Sequence, residues 1–214
     1  MSVKSLLLDL LFPPKCAFCG AYGVHGVCAD CEKTLPWCHT PLHERTGIGT
    51  CVAPLRYEGA VRKSLLRFKF HGGRGNAEGY GKILAQCVAE HFGGAFDLVT
   101  YVPVSERRRR ERGYDQTLLL TREMCRVWGV SPVTTLRKTR HTPAQSTLKT
   151  PEERKANVLG VYEAVDTEQI TGARILLLDD ILTTGATLRE CVRVLRDAGA
   201  KSVLCATLAV SDEK

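Results

Sequence analysis

The residues best equipped for chemistry lie in one stretch, Ile175-Leu176-Leu177-Leu178-Asp179-Asp180-Ile181-Leu182-Thr183-Thr184-Gly185-Ala186-Thr187-Leu188. Four aliphatic residues in a row predict a buried strand. Asp179 and Asp180 follow where that strand should run out into solvent. Thr183, Thr184, Gly185, Ala186 and Thr187 then form a small-residue loop ahead of a helical pattern. Such a loop presents unpaired N–H groups and the positive end of the helix dipole, which together bind phosphate. Gly185 lets the backbone come close without a Cβ. Two carboxylates beside a phosphate cradle point to sugar hydroxyls, with a divalent cation nearby. The bland alternative is an ordinary strand–turn–helix with a threonine cap. Paired acids followed by T-T-G-x-T make it the weaker reading.

A second constellation calls for metal. Cys16-x-x-Cys19 and Cys28-x-x-Cys31 are two cysteine knuckles separated by eight residues. Thiolates are soft ligands suited to tetrahedral Zn²⁺, and a closed four-cysteine site is structural. Gly20 supplies the tight turn after the first knuckle. So short a segment cannot fold on its own apolar area, so the metal provides much of its stability. Cys38, Cys51, His39 and His43 fit no regular ligand spacing. The reading favours no second metal and leaves that point open. His25, between the knuckles, reads as solvent-exposed. Cys87, Cys125, Cys191 and Cys205 are scattered through helix-like and strand-like stretches and read as small buried hydrophobes.

Composition bounds the rest. The chain has 214 residues, 44% of them hydrophobic, enough for one large domain or two unequal ones. Six of the ten cysteines fall within the first 51 residues. That shift predicts a cysteine-rich zinc module over residues 1–50 and an α/β domain over 51–214. The net charge of +7 is unevenly placed. No acid lies between Gly59 and Ala77, whereas Arg62, Lys63, Arg67, Lys69 and Arg74 do. Arg107 to Arg110 with Arg112, and Arg137, Lys138 and Arg140, form two further basic groups. Each alone reads as a solvated face; together they suit phosphate-rich ligands. No apolar run is long enough to span a bilayer. Ser5 to Phe12 is expected to form a short amphipathic helix packed on the protein, with peripheral membrane contact as the lesser alternative. Lacking an export signal, a chain with ten cysteines is expected in a reducing cytoplasm.

The elements that must position these residues alternate. Strands are expected at Thr50–Tyr57, Asp97–Val104, Val133–Arg137, Ala173–Leu178 and Lys201–Val210. Helices are expected at Gly59–Phe70, Ala77–Phe92, Gln116–Trp128, Pro151–Asn157 and Gly185–Ala198. Val158–Val165 reads as an edge strand or hairpin, and Thr139–Pro151 as a loop. The alternation predicts a mostly parallel sheet covered on both faces, with its ligand at the carboxyl ends of the strands.

Taken together, these motifs resemble the competence protein F family over nearly the whole chain. The carriers are a leading L-L-x-x-L-F-P-P-x-C-x-x-C, the zinc module and the acid-pair motif, which is similar to the 5-phosphoribosyl-1-pyrophosphate (PRPP) motif of type I phosphoribosyltransferases. Leu66-Arg67-Phe68-Lys69-Phe70-His71-Gly72, Val102-Pro103-Val104 with Arg107, Arg108 and Arg112-Gly113-Tyr114-Asp115-Gln116, and Arg137, Thr142, Gln145, Arg154 and Asn157 also match its pattern. Asp115 stands where the family usually has Asn. The resemblance implies a type I phosphoribosyltransferase fold behind a zinc module. It implies that Asp179 and Asp180 bind ribose hydroxyls that also chelate Mg²⁺, and that Thr183 to Thr187 hold the 5-phosphate. Lys69, Val104, Ser105, Arg107, Arg112 and Gln116 are candidates for the pyrophosphate, which needs several cationic donors. It further implies a role in natural transformation: handling incoming single-stranded DNA beside a helicase-like partner. A true phosphoribosyltransferase with an unknown nitrogen acceptor, and a non-catalytic PRPP sensor, are the alternatives. The chain has no G-x-x-x-x-G-K-[ST] motif and so is not itself an ATP-driven motor. Thr183, where 6-oxopurine transferases carry an acid, counts against hypoxanthine or guanine salvage.

Overall fold

The computed structural model describes residues 13–143 and 150–211. In chain order its elements are α1 (Ala29–Thr34), β1 (Leu42–Arg45), β2 (Gly49–Val52), β3 (Leu55–Arg56), α2 (Gly59–Phe70), α3 (Asn76–Phe92), β4 (Leu98–Tyr101), α4 (Glu106–Arg112), α5 (Gln116–Val127), β5 (Leu136–Lys138), α6 (Pro151–Val158), β6 (Tyr162–Ala164), α7 (Thr167–Ile170), β7 (Arg174–Leu182), α8 (Ala186–Asp197) and β8 (Ser202–Val210).

Side-chain alternation along β7 divides the core in two. Leu176 and Leu178 face α2, α3 and α5, where Leu65, Phe68, Tyr80, Leu84, Leu120 and Met124 are buried with them. Ile175 and Leu177 face the other way, onto Leu188, Cys191, Val192 and Leu195 of α8. A strand apolar on both faces belongs in the middle of a sheet covered on both sides. The sheet order is accordingly β1-β2-β8-β7-β4, with β3 pairing along β8. All of its pairings are parallel except β1–β2. The expected sheet with helices on both faces is the one found. Helix α3 meets α5 closely because Gly81 has no side chain: a Cβ there would stand 2.6 Å from the Glu123 backbone.

Several elements depart from the sequence reading, and three of them bear on the site. β7 does not stop at Leu178 but runs through both acids to Leu182, because Asp179, Ile181 and Leu182 pair with Thr207, Ala209 and Val210 of β8. The strand expected at Val133–Arg137 begins at Leu136 and stays outside the main sheet, pairing antiparallel with β6. The arginine-rich run after Val104 is a helix, α4, capped by the Ser105 hydroxyl and closed by Gly113 in the left-handed region. Helix α6 has the expected Thr150 cap, completed into a capping box by Glu153. Cys87, Cys125, Cys191 and Cys205 are all buried, as expected of small hydrophobes. The Ser5–Phe12 segment and Gln145 lie outside the described residues. Among the described residues no helix is long and apolar enough to cross a membrane.

The residues around position 50 are continuous with the sheet. β2 pairs with β8 through Cys51↔Cys205 and Val52↔Ala206. Ile48, in the β1–β2 turn, is fully buried.

Candidate functional site

The zinc module is built by two turns that aim four thiols at one point. Gly20 takes a φ of 81°, and its N–H donates to Cys16 O at 3.0 Å, folding the first knuckle back. The second knuckle opens α1, so Cys28 and Cys31 lie one turn apart. The Sγ atoms of Cys16, Cys19, Cys28 and Cys31 all lie within 4.8 Å of one another, and Cys19 and Cys28 are 3.7 Å apart. Four ligands about 2.3 Å from a tetrahedral zinc stand roughly 3.8 Å from each other, so the donor set and its spacing fit the metal. Backbone N–H groups support thiolates there: Cys28 N donates to Cys16 Sγ and Cys31 N to Cys28 Sγ, both at 3.4 Å. Burial pushes Cys16 up, but the N–H groups of Cys19, Cys28 and Phe18 outweigh it and bring the thiol down to about 6. His25 is exposed and faces Glu78 rather than the thiols.

This module is fixed to the helices beneath it. The Ser64 hydroxyl donates to Ala17 O, Arg67 donates to Phe18 O at 2.6 Å, and the Phe18 and Tyr80 rings meet at a tilt with centroids 5.4 Å apart. Gly79 allows the contact, since a Cβ would meet Ala17 and Gly26 at 2.9 Å.

The acid pair sits at the carboxyl end of β7. Asp180 is 5% exposed and is the meeting point of three elements. Lys69 Nζ, at the end of α2, donates to its Oδ1 at 2.9 Å, and Gln116 Nε2, at the start of α5, to its Oδ2 at 3.2 Å. Arg112 in turn donates to Gln116 Oε1 at 2.7 Å. Asp179 turns the other way, accepting from Asp180 N at 2.8 Å. It keeps some contact with solvent, yet protein atoms surround it. Burial, with the Asp180 charge added, raises its carboxyl to about 8.

After Leu182 the chain turns through Thr183 and Thr184 to Gly185, which caps α8 with φ 71°. A Cβ on Gly185 would stand 2.3 Å from Ile48 Cδ1, so the loop can lie where it does only with glycine there. Ala186 is buried, while Thr183, Thr184 and Thr187 keep partial exposure at the mouth of the helix.

Among the pyrophosphate candidates, Lys69, Arg112 and Gln116 converge on Asp180. Val104 N donates to Asp115 Oδ2 at 2.9 Å. Asp115 also caps α5, accepting from Thr117 N and Leu118 N at 3.0 Å. The aspartate in place of the family's usual Asn thus ties the Val102–Arg107 turn to a helix start. Ser105 Oγ pairs with His141 Nδ1 at 2.9 Å. Arg107 is the member the structure leaves apart: it pairs with Glu111 at 2.7 Å on the solvent side of α4.

Four residues here stand outside the ligand assignment read from sequence, although Arg108, Lys138 and Thr142 belong to the basic groups or matched segments. Arg108 donates to Thr142 O at 2.9 Å, and with the Ser105–His141 contact it joins α4 to the chain leaving β5. Thr142 Oγ1 is buried and makes no hydrogen bond among the described residues. Lys138 lies with Nζ 5.1 Å from the Tyr162 ring centroid. Burial lowers it to about 8, although the Asp179 charge acts in the opposite sense. Ile48 is the fourth, through its seat against Gly185. The basic run around Arg108 was a visible signal; for Ile48 the sequence held none.

Comparison with known proteins agrees with both halves. The double zinc ribbon domain family matches residues 7–58 and the phosphoribosyl transferase domain family residues 118–214. Competence protein ComFC of Bacillus subtilis is 27% identical over 90% of this chain and 76% of its own length. Competence protein F of Haemophilus influenzae is 26% identical over 89% of this chain and 82% of its own length. Among solved structures, a glutamine PRPP amidotransferase from B. subtilis, complexed with ADP and GMP, aligns with a TM-score of 0.43 at 25% identity. That alignment covers 62% of this chain and 26% of the other. The chain is therefore similar to competence proteins F and ComFC over most of its length, with a match to a double zinc ribbon domain followed by a match to a phosphoribosyl transferase domain.

Proposed function

We propose that the acid-pair site binds PRPP with Mg²⁺, and that the protein uses this site in handling single-stranded DNA during natural transformation. The observation that carries the ligand is Asp180, a buried carboxylate held by Lys69 and Gln116 one turn of chain before a glycine-capped helix start. Ribose hydroxyls would donate to Asp179 and Asp180. The 5-phosphate would take the N–H groups from Thr183 to Thr187. Magnesium would be held by the ribose diol and pyrophosphate, and would supply charge neutralisation at the pyrophosphate. Lys69, Arg112 and Ser105 would meet that group. The DNA role rests on the competence proteins to which the chain is similar, on the basic helix faces and on the absence of a nucleotide-hydrolysing motif. A helicase-like partner would supply the motion.

A second reading, phosphoribosyl transfer to a nitrogen acceptor with release of pyrophosphate, is favoured by Lys138. A lysine brought to about 8 by burial, and within range of the Asp179 charge, is suited to exchanging a proton with an acceptor near neutral pH.

Calorimetric titration of the zinc-loaded protein with PRPP, with and without Mg²⁺, tests the binding. Saturable, magnesium-dependent heat is expected; none under either condition would remove the ligand assignment. Pyrophosphate release on addition of candidate acceptors separates the two readings.

A further inference from the structure

Phe70 is the one aromatic ring on α2 turned to solvent: it is 55% exposed, directly after Lys69. The Arg112 guanidinium lies 4.9 Å from its centroid. Beside it, Arg74 lies 4.7 Å from the centroid of Tyr114 and donates to Gly113 O at 2.6 Å. The Tyr114 hydroxyl is fixed by donation to Phe68 O. The exposed Phe70 ring and the half-buried Tyr114 ring, which packs on Phe68, are thus each faced by an arginine where the chain from Gly59 to Ala77 carries no acid. Ring faces beside cations fit single-stranded nucleic acid, whose bases stack while its phosphates take the arginines. An acidic protein segment would find the cations but would leave the rings without partners of their own kind.

This surface is wired to the acid pair. Both oxygens of Asp180 lead to it: Oδ1 through Lys69, the neighbour of Phe70, and Oδ2 through Gln116 to Arg112. A ribose diol arriving at Asp180 needs the same two oxygens.

We propose that the Phe70–Tyr114 surface binds single-stranded nucleic acid, and that occupation of the acid-pair site weakens this binding by drawing Arg112 from the ring toward the ligand's pyrophosphate. The proposal rests on the PRPP reading above. It makes the protein a release device: sugar-phosphate ligand and nucleic acid compete for one arginine from two different sites. Linkage requires the effect to be reciprocal, with each ligand weakening the other by the same factor, roughly 5- to 150-fold.

The test uses the full, zinc-loaded chain. Anisotropy with a fluorescent dT20 is read in Mg²⁺ alone and again with saturating PRPP, and PRPP affinity is read by calorimetry without oligonucleotide. The dissociation constant for dT20 is expected to rise roughly tenfold with PRPP. Phe70→Ala should weaken dT20 roughly tenfold and leave PRPP affinity unchanged. Gln116→Leu should shrink the PRPP effect on dT20. A protein that binds PRPP by calorimetry yet holds dT20 equally with and without it overturns the coupling. So does a Phe70→Ala variant with full dT20 affinity, or poly-L-glutamate that binds equally well and loses affinity equally in that variant. Absence of PRPP heat overturns the acid-pair reading itself, and the coupling with it. Calorimetry tells that failure apart because it involves no oligonucleotide.

Discussion

The zinc module and the acid-pair site are assembled by opposite means. The four thiols come from sixteen consecutive residues, Cys16 to Cys31, and backbone turns within that stretch aim them. The acid pair draws Lys69, Arg112 and Gln116 from elements far away in sequence, brought together only when the sheet and helices pack. A site made locally depends on its ligand for stability and is legible from spacing. A site made by tertiary convergence inherits its geometry from the core and is legible only where one strand carries the motif. Damage to the first should therefore appear as unfolding, and damage to the second as lost binding on an intact scaffold.

The largest contrast should come from the metal. One zinc per chain is expected by elemental analysis, and Cys16→Ser or strong chelation should remove it. Structural zinc in small modules contributes on the order of 10 kcal/mol, so the module should lose its protease resistance and the melting temperature should fall by many degrees. A chelated protein with unchanged melting would break the comparison at its root.

Next in size is the joint substitution Asp179→Ala with Asp180→Ala. Charge-assisted hydrogen bonds contribute about 1.5–3 kcal/mol each, so PRPP affinity should fall by more than about a hundredfold while circular dichroism stays that of the parent. Unchanged affinity would remove the acids from the site; a collapsed spectrum would make them scaffold.

Gly185→Ala crosses the two regions. The new methyl would need the place of Ile48 Cδ1, on a backbone at φ 71°. Overpacking and a left-handed alanine each cost about 1–3 kcal/mol. Adding Ile48→Ala should return the overpacking part and leave the backbone part, as thermal melting of the single and double variants would reveal. Full additivity of the two substitutions would mean that the residues do not touch.

The last contrast is one of pH. Burial and the neighbouring acid raise Asp179 from 3.8 to about 8. The folded chain therefore keeps a proton that the unfolded chain gives up above about pH 4. Relative to Asp179→Asn, the protein should lose stability progressively between about pH 4 and pH 8 and level off beyond. A difference in melting temperature that stays flat from pH 5 to pH 8 would mean that Asp179 is solvated.

Sequence pattern reached much of this fold because local signals agreed with the final packing. Helix α2 has the bounds its spacing predicts, and α3 and α5 differ by single residues at an end, since an apolar face at helical period is buried wherever the helix goes. β7 was legible as a strand but not in length: acids look like a strand end, and only pairing with β8 carries the strand past them. β1 was invisible because its residues, Leu-His-Glu-Arg, lie at an antiparallel edge that buries little. At the site, the acids, the loop and Lys69 stood out by motif. Arg108 rather than Arg107 as the arginine that reaches Thr142 was not legible, because neighbours on a helix differ by about 100° of rotation and only the fold says which faces inward.

Ile48 carries one last implication. It belongs to the stretch matched by the zinc ribbon family, yet it fills the hollow behind Gly185 in the transferase motif. The two halves therefore cannot be exchanged between relatives like cassettes. A chimera joined near residue 50 with a differently shaped turn would misplace the phosphate loop while leaving every motif residue in its sequence position.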